Sequence, residues 1–240
     1  MTRVGLIVAL PGEKRTLTNA RIPSGRFLHL NDNTLICVSG VGPEKAAAAA
    51  ALLVNAGCGA LLSWGCAAAI AADLNPGDLI VPEVICGANG SVYHADLIWR
   101  NNLLDRLSDY QNVHAGAIAE SLILVETAAD KRALRDQTGA LALDMESAAI
   151  AKQATRYNLP FVTIRAIADP AIMSLPRPVA VSIDQNGDVN LARLLFSIAR
   201  EPGAIPGMIR LGFYFRKAQR RLQVTAHKLK YNFSTDTARV

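Results

Sequence analysis

Phe161-Val162-Thr163-Ile164-Arg165-Ala166-Ile167-Ala168-Asp169-Pro170 and, upstream of it, Asp144-Met145-Glu146-Ser147-Ala148 decide how this chain folds and what it does. The longer stretch is a buried strand that ends in a carboxylate and is stopped by proline. The shorter one sets a carboxylate at the junction of an apolar strand and a helix. Acids at the ends of neighbouring strands lie where α/β sheets place their chemistry. One acid is suited to holding a sugar's hydroxyls while the other protonates a leaving group, which points to cleavage of a glycosidic bond.

Outward from these stretches, apolar strand patterns occupy residues 3–10, 26–30, 34–39, 60–65, 78–82, 115–119, 140–143 and 161–168. Helical patterns occupy residues 43–55, 97–107, 128–137 and 146–157. The alternation predicts an α/β fold, a mixed central sheet with helices on both faces. Residues 170–178 carry three prolines and no period, so a loop is expected directly after Asp169. Beyond it, residues 190–200 and 204–223 read as helices appended to the sheet domain. The division expected is 1–178 for the α/β domain and 179–240 for a basic C-terminal helical extension of the same domain.

The composition agrees with a large core: 51% apolar, 19% charged and only 5% aromatic, so Ala, Val, Leu and Ile must fill it. Cys37, Cys58, Cys66 and Cys86 sit in apolar runs without metal-ligand spacing, which reads as reduced core thiols in a cytoplasmic protein. No metal and no organic cofactor is implied. The apolar run from Val4 to Leu10 is too short for a signal peptide, since Pro11, Gly12 and Glu13 come at once. Residues 46–72 lack charge, but Asn55-Ala56-Gly57-Cys58-Gly59 breaks them into helix, turn and strand rather than a membrane span. The net charge of +5 is uneven: residues 200–240 hold nine Lys/Arg against two acids, so the rest of the chain is slightly acidic.

Single residues leave alternatives open. Glu13, three residues past the first strand, reads as a solvated helix-start acid or as a site residue. Glu146 reads as a helix N-terminal acid stabilised by the dipole or as a ligand group. Asp169 before proline is also a turn former. Ser39-Gly40-Val41-Gly42-Pro43 joins a strand to an alanine-rich helix and would aim backbone N–H groups at an anion or a sugar oxygen, or simply make a tight connection.

Taken together and in order, six pieces resemble the nucleoside phosphorylase and nucleosidase superfamily. They are Val4-Gly5-Leu6-Ile7-Val8-Ala9-Leu10 with Glu13, Ser39-Gly40-Val41-Gly42, Trp64-Gly65-Cys66-Ala67, Pro76-Gly77-Asp78-Leu79-Ile80-Val81-Pro82, Asp144-Met145-Glu146-Ser147-Ala148 and Arg165-Ala166-Ile167-Ala168-Asp169. The resemblance implies a sheet closing toward a distorted barrel and assembly as a homo-oligomer. Within the superfamily the chain most resembles the hopanoid-associated phosphorylases. Asp144-Met145-Glu146-Ser147, the Ala168-Asp169-Pro170-Ala171 loop entry and Glu201-Pro202-Gly203-Ala204-Ile205-Pro206-Gly207-Met208-Ile209-Arg210 carry that likeness. It implies release of adenine from an adenosylated hopane lipid. A methylthioadenosine or S-adenosylhomocysteine nucleosidase is the alternative, and a nucleoside-binding protein without turnover is a second.

By resemblance, Asp169 is the acid that protonates the departing purine, Glu146 accepts the ribose hydroxyls, and Met145 packs on the sugar. Ile123 and Leu124 flank the base, and Cys66 stands beside the nucleophile where the family has serine or threonine. Glu13 matches the glutamate with which hydrolytic members activate water. Phosphate, the co-substrate in phosphorolysis, would need cations, yet Ser63 stands where phosphorylases commonly have arginine. Arg15 with the backbone of Gly40 and Gly42 would have to substitute. The basic C-terminal region reads either as a helix docked on the domain or an oligomer partner, or as a peripheral contact with an anionic membrane carrying a lipid-linked nucleoside. No stacking platform or reading motif points to nucleic acid.

Overall fold

The structure, a computed structural model, describes residues 2–23, 25–182 and 191–235. In chain order its elements begin with β1 (Val4–Val8), α1 (Pro11–Lys14), β2 (Phe27–Asn31), β3 (Thr34–Val38), α2 (Pro43–Asn55) and β4 (Ala60–Ala69). Then come β5 (Leu79–Ile80), β6 (Val84–Cys86), β7 (Val92–His94), α3 (Leu97–Arg106), β8 (Val113–His114), β9 (Ala117–Glu120) and α4 (Ala128–Thr138). The chain closes with β10 (Ala142–Asp144), α5 (Ser147–Arg156), β11 (Phe161–Asp169), α6 (Arg177–Ala180), α7 (Leu191–Arg200) and α8 (Ile205–Lys228). The helix expected to begin at residue 190 is thus described from Leu191; residue 190 itself lies outside the described residues.

The eleven strands form one mixed sheet whose organising member is β4. Its first half lies between β1 and β11, parallel to both, with Leu61 opposite Gly5 and Phe161. Its second half leaves β1 behind, stays paired with β11 as far as Ala68, and pairs antiparallel with β10 at Ala68 and Ala69. This change of partner along one long strand curls the sheet, as the expected barrel-like closure requires. β11 shifts register between Ile167 and Asp169, leaving Ala168 bulged. Bulges re-aim the side chain next in line, which here is Asp169.

Strands β1, β3, β4 and β11 are parallel, so their C-terminal ends share one edge. Alanine along α2 lets that helix sit close on β1, where a Cβ on Gly5 would be 3.0 Å from Leu53. One apolar layer joins α2 and α5 to the sheet through Ala46, Ala50, Leu53, Ile150 and Ala154. The opposite layer joins Val4, Leu6, Val8, Trp64 and Trp99 to Ala218, Leu222 and Ala226 of α8 and to Leu229 and Phe233 just beyond its C-terminus. Both tryptophans find acceptors for their N–H groups, Trp64 at Thr16 Oγ1 (3.0 Å) and Trp99 at the Phe233 carbonyl (3.1 Å). From Ala218 onward α8 is therefore core, whereas its first half carries exposed Ile205, Ile209 and Phe213.

Candidate active site

The turn after β1 delivers Glu13 inward. Its Oε2 accepts the backbone N–H groups of Ala9 (3.0 Å) and Leu10 (2.9 Å), and Oε1 accepts that of Cys66 at 2.7 Å. The solvated alternative is thereby excluded: Glu13 is buried. Burial pushes its pKa above the ordinary value against the lowering influence of Arg165 and the three backbone donors. Gly65 makes room for it, because a Cβ there would lie 2.4 Å from Glu13 Oε1 and 2.8 Å from Arg165 Nη1.

Asp144 ends β10 and caps the start of α5, where its Oδ1 accepts the N–H of Ser147 at 3.1 Å. Its Oδ2 accepts Arg165 Nε at 2.6 Å and the Ser147 hydroxyl. Arg165, projecting from the middle of β11, also donates to Ser63 Oγ at 2.8 Å and to Ser147 Oγ at 3.2 Å. Glu146 Oε2 lies 3.8 Å from the same guanidinium. The other oxygen of Glu146 accepts the N–H of Gly42 at 3.0 Å, which ties it to the start of α2. That turn needs glycine, since Gly40 and Gly42 sit at φ +85° and +102°. Burial first, then the Asp144 charge, push Glu146 up to about 7 despite Arg165.

Three carboxylates thus surround one guanidinium, with Glu13 and Glu146 on the side not consumed by the Asp144 ion pair. Cys66 stands beside them with its thiol pushed well up by burial and by the Glu13 charge, so it is a neutral group here. Ser63 is fully buried and bonded to Arg165, a part of this cage. Among the described residues no three or more His, Cys, Asp or Glu side chains converge in a way that would hold a metal ion.

Asp169, 8% exposed, lies at the end of β11. Its Oδ2 is 2.6 Å from Nζ of Lys131, while Oδ1 is buried with no partner among the described residues. Lys131 is 0% exposed and also donates to the carbonyls of Pro170 (3.1 Å) and Met173 (2.8 Å). Burial pushes the Asp169 carboxyl up, and Lys131 opposes it.

The segments around residues 121–128 and 170–175 are stitched together by Leu175 N–H to Glu126 O (2.7 Å) and Ala128 N–H to Ser174 Oγ (3.1 Å). Ile123 and Leu124 lie in the first of these segments, Ile123 74% exposed and Leu124 half-buried. Met145 is half-buried between Asp144 and Glu146. Arg15 ends α1 with its side chain exposed, not among the groups that bond the carboxylates. The structure therefore brings together Glu13, Cys66, Gly42 and Glu146, and sets Asp169 on the neighbouring strand end.

Sequence reasoning assigned no role to Arg165, Asp144 or Lys131. A charged residue inside the wholly buried strand Phe161–Asp169 was a readable signal for Arg165. Lys131, in a helix as polar as Ala128–Thr138, carried none.

With this geometry established, comparison with known proteins defines the class. The sequence model of the Phosphorylase superfamily matches residues 3–194. The chain belongs to that superfamily and is an enzyme of its nucleoside phosphorylase and nucleosidase class. It is 27% identical over 203 residues to a 5'-methylthioadenosine/S-adenosylhomocysteine nucleosidase of Oceanobacillus iheyensis, covering 72% of this chain and 84% of that protein. In fold it is similar to the Neisseria meningitidis nucleosidase of the same name in complex with methylthio-immucillin-A (TM-score 0.71, 18% identity, 96% of this chain and 99% of that one). It is also similar to futalosine hydrolase of Helicobacter pylori (TM-score 0.72, 15% identity, 96% and 97%).

Proposed function

We propose that the protein cleaves the N-glycosidic bond of an adenine nucleoside, with water as nucleophile and a lipid-linked nucleoside, adenosylhopane, as native substrate. The observation that carries the reaction is the pairing of a carboxylate-rich cluster, Glu13 and Glu146 beside an already engaged Arg165, with Asp169, whose Oδ1 has no partner among the described residues. Breaking the bond builds cationic character on the sugar and negative charge on the base. Glu146 accepts ribose hydroxyls and its charge favours the sugar cation. Asp169, protonated, gives its proton to the purine. Glu13, fixed by three backbone N–H groups and raised by burial, takes a proton from water.

Phosphate fits this cluster poorly. Its charge would meet the Glu13 carboxylate, Arg165 is bound to Asp144, and Arg15 is exposed. The exposed Ile205, Ile209 and Phe213 of α8 support a membrane-held substrate, and assembly as a homo-oligomer is part of the same reading. A 5'-methylthioadenosine/S-adenosylhomocysteine nucleosidase is the second reading, favoured by the curated relative. Product analysis on adenosylhopane, adenosine and methylthioadenosine, with and without phosphate, tests both. Free sugar without phosphate is expected. A sugar 1-phosphate would overturn Glu13 as base, faster turnover of methylthioadenosine would favour the second reading, and binding without adenine release would make the protein a nucleoside binder.

A further inference from the structure

The first half of α8 has a chemistry that its second half lacks. Ile205, Ile209 and Phe213 recur every fourth residue and are exposed, the last two by 63% and 71%. The same exposed arc carries Arg210, Arg216, Lys217 and Arg220. No acidic residue occurs between Glu201 and Asp236. On α7, Phe196 is exposed too, with the Arg200 guanidinium 4.2 Å from its ring centre. An apolar ridge interleaved with cations is the pattern of a helix lying in a lipid interface. Among the described residues no helix is long and apolar enough to cross a membrane.

The helix that carries the ridge also packs, through other faces, beside the candidate active site. Gly12, the neighbour of Glu13, is so close to α8 that a Cβ on it would lie 2.3 Å from Gln219 Nε2 and 3.4 Å from Phe215. At its other end α8 meets the segment after Asp169, where a Cβ on Gly207 would be 3.4 Å from Pro176. The helix therefore bridges the turn that holds Glu13 and the loop beyond the acid.

We infer that Ile205, Ile209 and Phe213, flanked by Arg210, Arg216 and Arg220, dock the protein on an anionic lipid bilayer, in the plane of the surface and beside the site. This rests on the reading that the nucleoside is lipid-linked. Charge selects the occupant: a second copy would set one basic arc against another, whereas anionic headgroups neutralise it.

Co-sedimentation of the full chain with vesicles tests the surface, using phosphatidylcholine alone and with one part in three (~33%) phosphatidylglycerol. Binding to the anionic vesicles that weakens with salt is expected. Ile209→Asp with Phe213→Asp should abolish it, and Arg210→Glu with Arg216→Glu should weaken it about tenfold or more. Both double variants should turn over water-soluble adenosine within about twofold of the unmodified chain, which certifies their fold. No binding to anionic vesicles, binding that survives both double variants, or self-association abolished by Ile209→Asp would overturn the inference. Vesicle binding is read without substrate. A chain that binds vesicles yet releases no adenine would uphold the surface and refute the reaction.

Discussion

Two buried ion clusters stand along β11, one around Arg165 in its middle and one at its end, and are balanced in opposite ways. Around Arg165, one cation serves Asp144, Glu13 and Glu146, so negative charge is in surplus. At the end of β11, Lys131 faces Asp169 one to one, and among the described residues a single oxygen of that carboxylate is left without a partner. The surplus suits the end of the substrate that becomes cationic, the sugar. The balanced pair suits the end that must receive a proton, the base. Burial by itself disfavours charge on any carboxyl, so the placement of the two cations sets the difference.

The comparison breaks first at Asp169. Asp169→Asn keeps the size and the contact with Lys131 but has no proton to give, and kcat should fall about 10²- to 10⁴-fold. Nucleoside binding, measured by calorimetry, should change far less. A variant within tenfold of the unmodified rate would remove Asp169 from the acid's role.

Lys131→Met tests the other half of that pair. It leaves Asp169 uncompensated and the carbonyls of Pro170 and Met173 without their donor. Breaking a buried pair in this way costs about 3–5 kcal/mol, to be read from denaturant unfolding. The sign of the pH effect separates tuning from mere support. Removing a cation raises the carboxyl's pKa further, so the acid stays protonated to higher pH and the alkaline limb of kcat/KM should move upward. A destabilised variant with an unmoved limb would make Lys131 a staple and nothing more.

The legibility of these clusters in the sequence depends on how local each residue's placement is. Glu13, Asp144, Glu146 and Asp169 all lie at or near the ends of apolar runs, and strand ends are local features. The outline of α2, Pro43–Asn55, was likewise readable from its alanine run to its Asn55-Ala56-Gly57 exit. The strands Val84–Cys86, Val92–His94 and Val113–His114 were not, because two or three residues carry no period. Lys131 is the clearest failure. Ala-Ala-Asp-Lys-Arg-Ala-Leu-Arg reads as a solvated helix face, and only the path of residues 169–173 over it makes one lysine a buried anchor. The bulge at Ala168 that re-aims Asp169 is also a property of strand pairing, invisible in one strand's sequence.

On the Arg165 side, Gly65→Ala should act through contact alone. The added methyl meets Glu13 Oε1 and the guanidinium together. Overpacking of this kind costs about 1–3 kcal/mol. Turnover should drop more than substrate affinity, because Glu13 is displaced while Glu146 is not. Equal losses in both would mean that the two carboxylates move as one body.

The smallest effect is the most diagnostic of surplus charge. In the proposed reaction Glu146 would bind ribose hydroxyls as a carboxylate, and its pKa is lifted from 4.5 to about 7 in the free protein. The enzyme's kcat/KM should therefore fall about tenfold per pH unit below that value. Stability must run the other way. A carboxyl whose folded pKa exceeds its unfolded one holds its proton longer when folded, so its contribution is fully present below 4.5 and is lost as pH rises to about 7. The fold thus loosens over the same window in which the site gains its affinity. Glu146→Gln should remove both slopes at once, leaving a flatter stability profile and a weaker, pH-independent grip on the sugar. If the acid limb persists in Glu146→Gln and vanishes in Glu13→Gln, the titrating group is the water-activating base. The surplus on this side of the molecule then serves the nucleophile rather than the sugar.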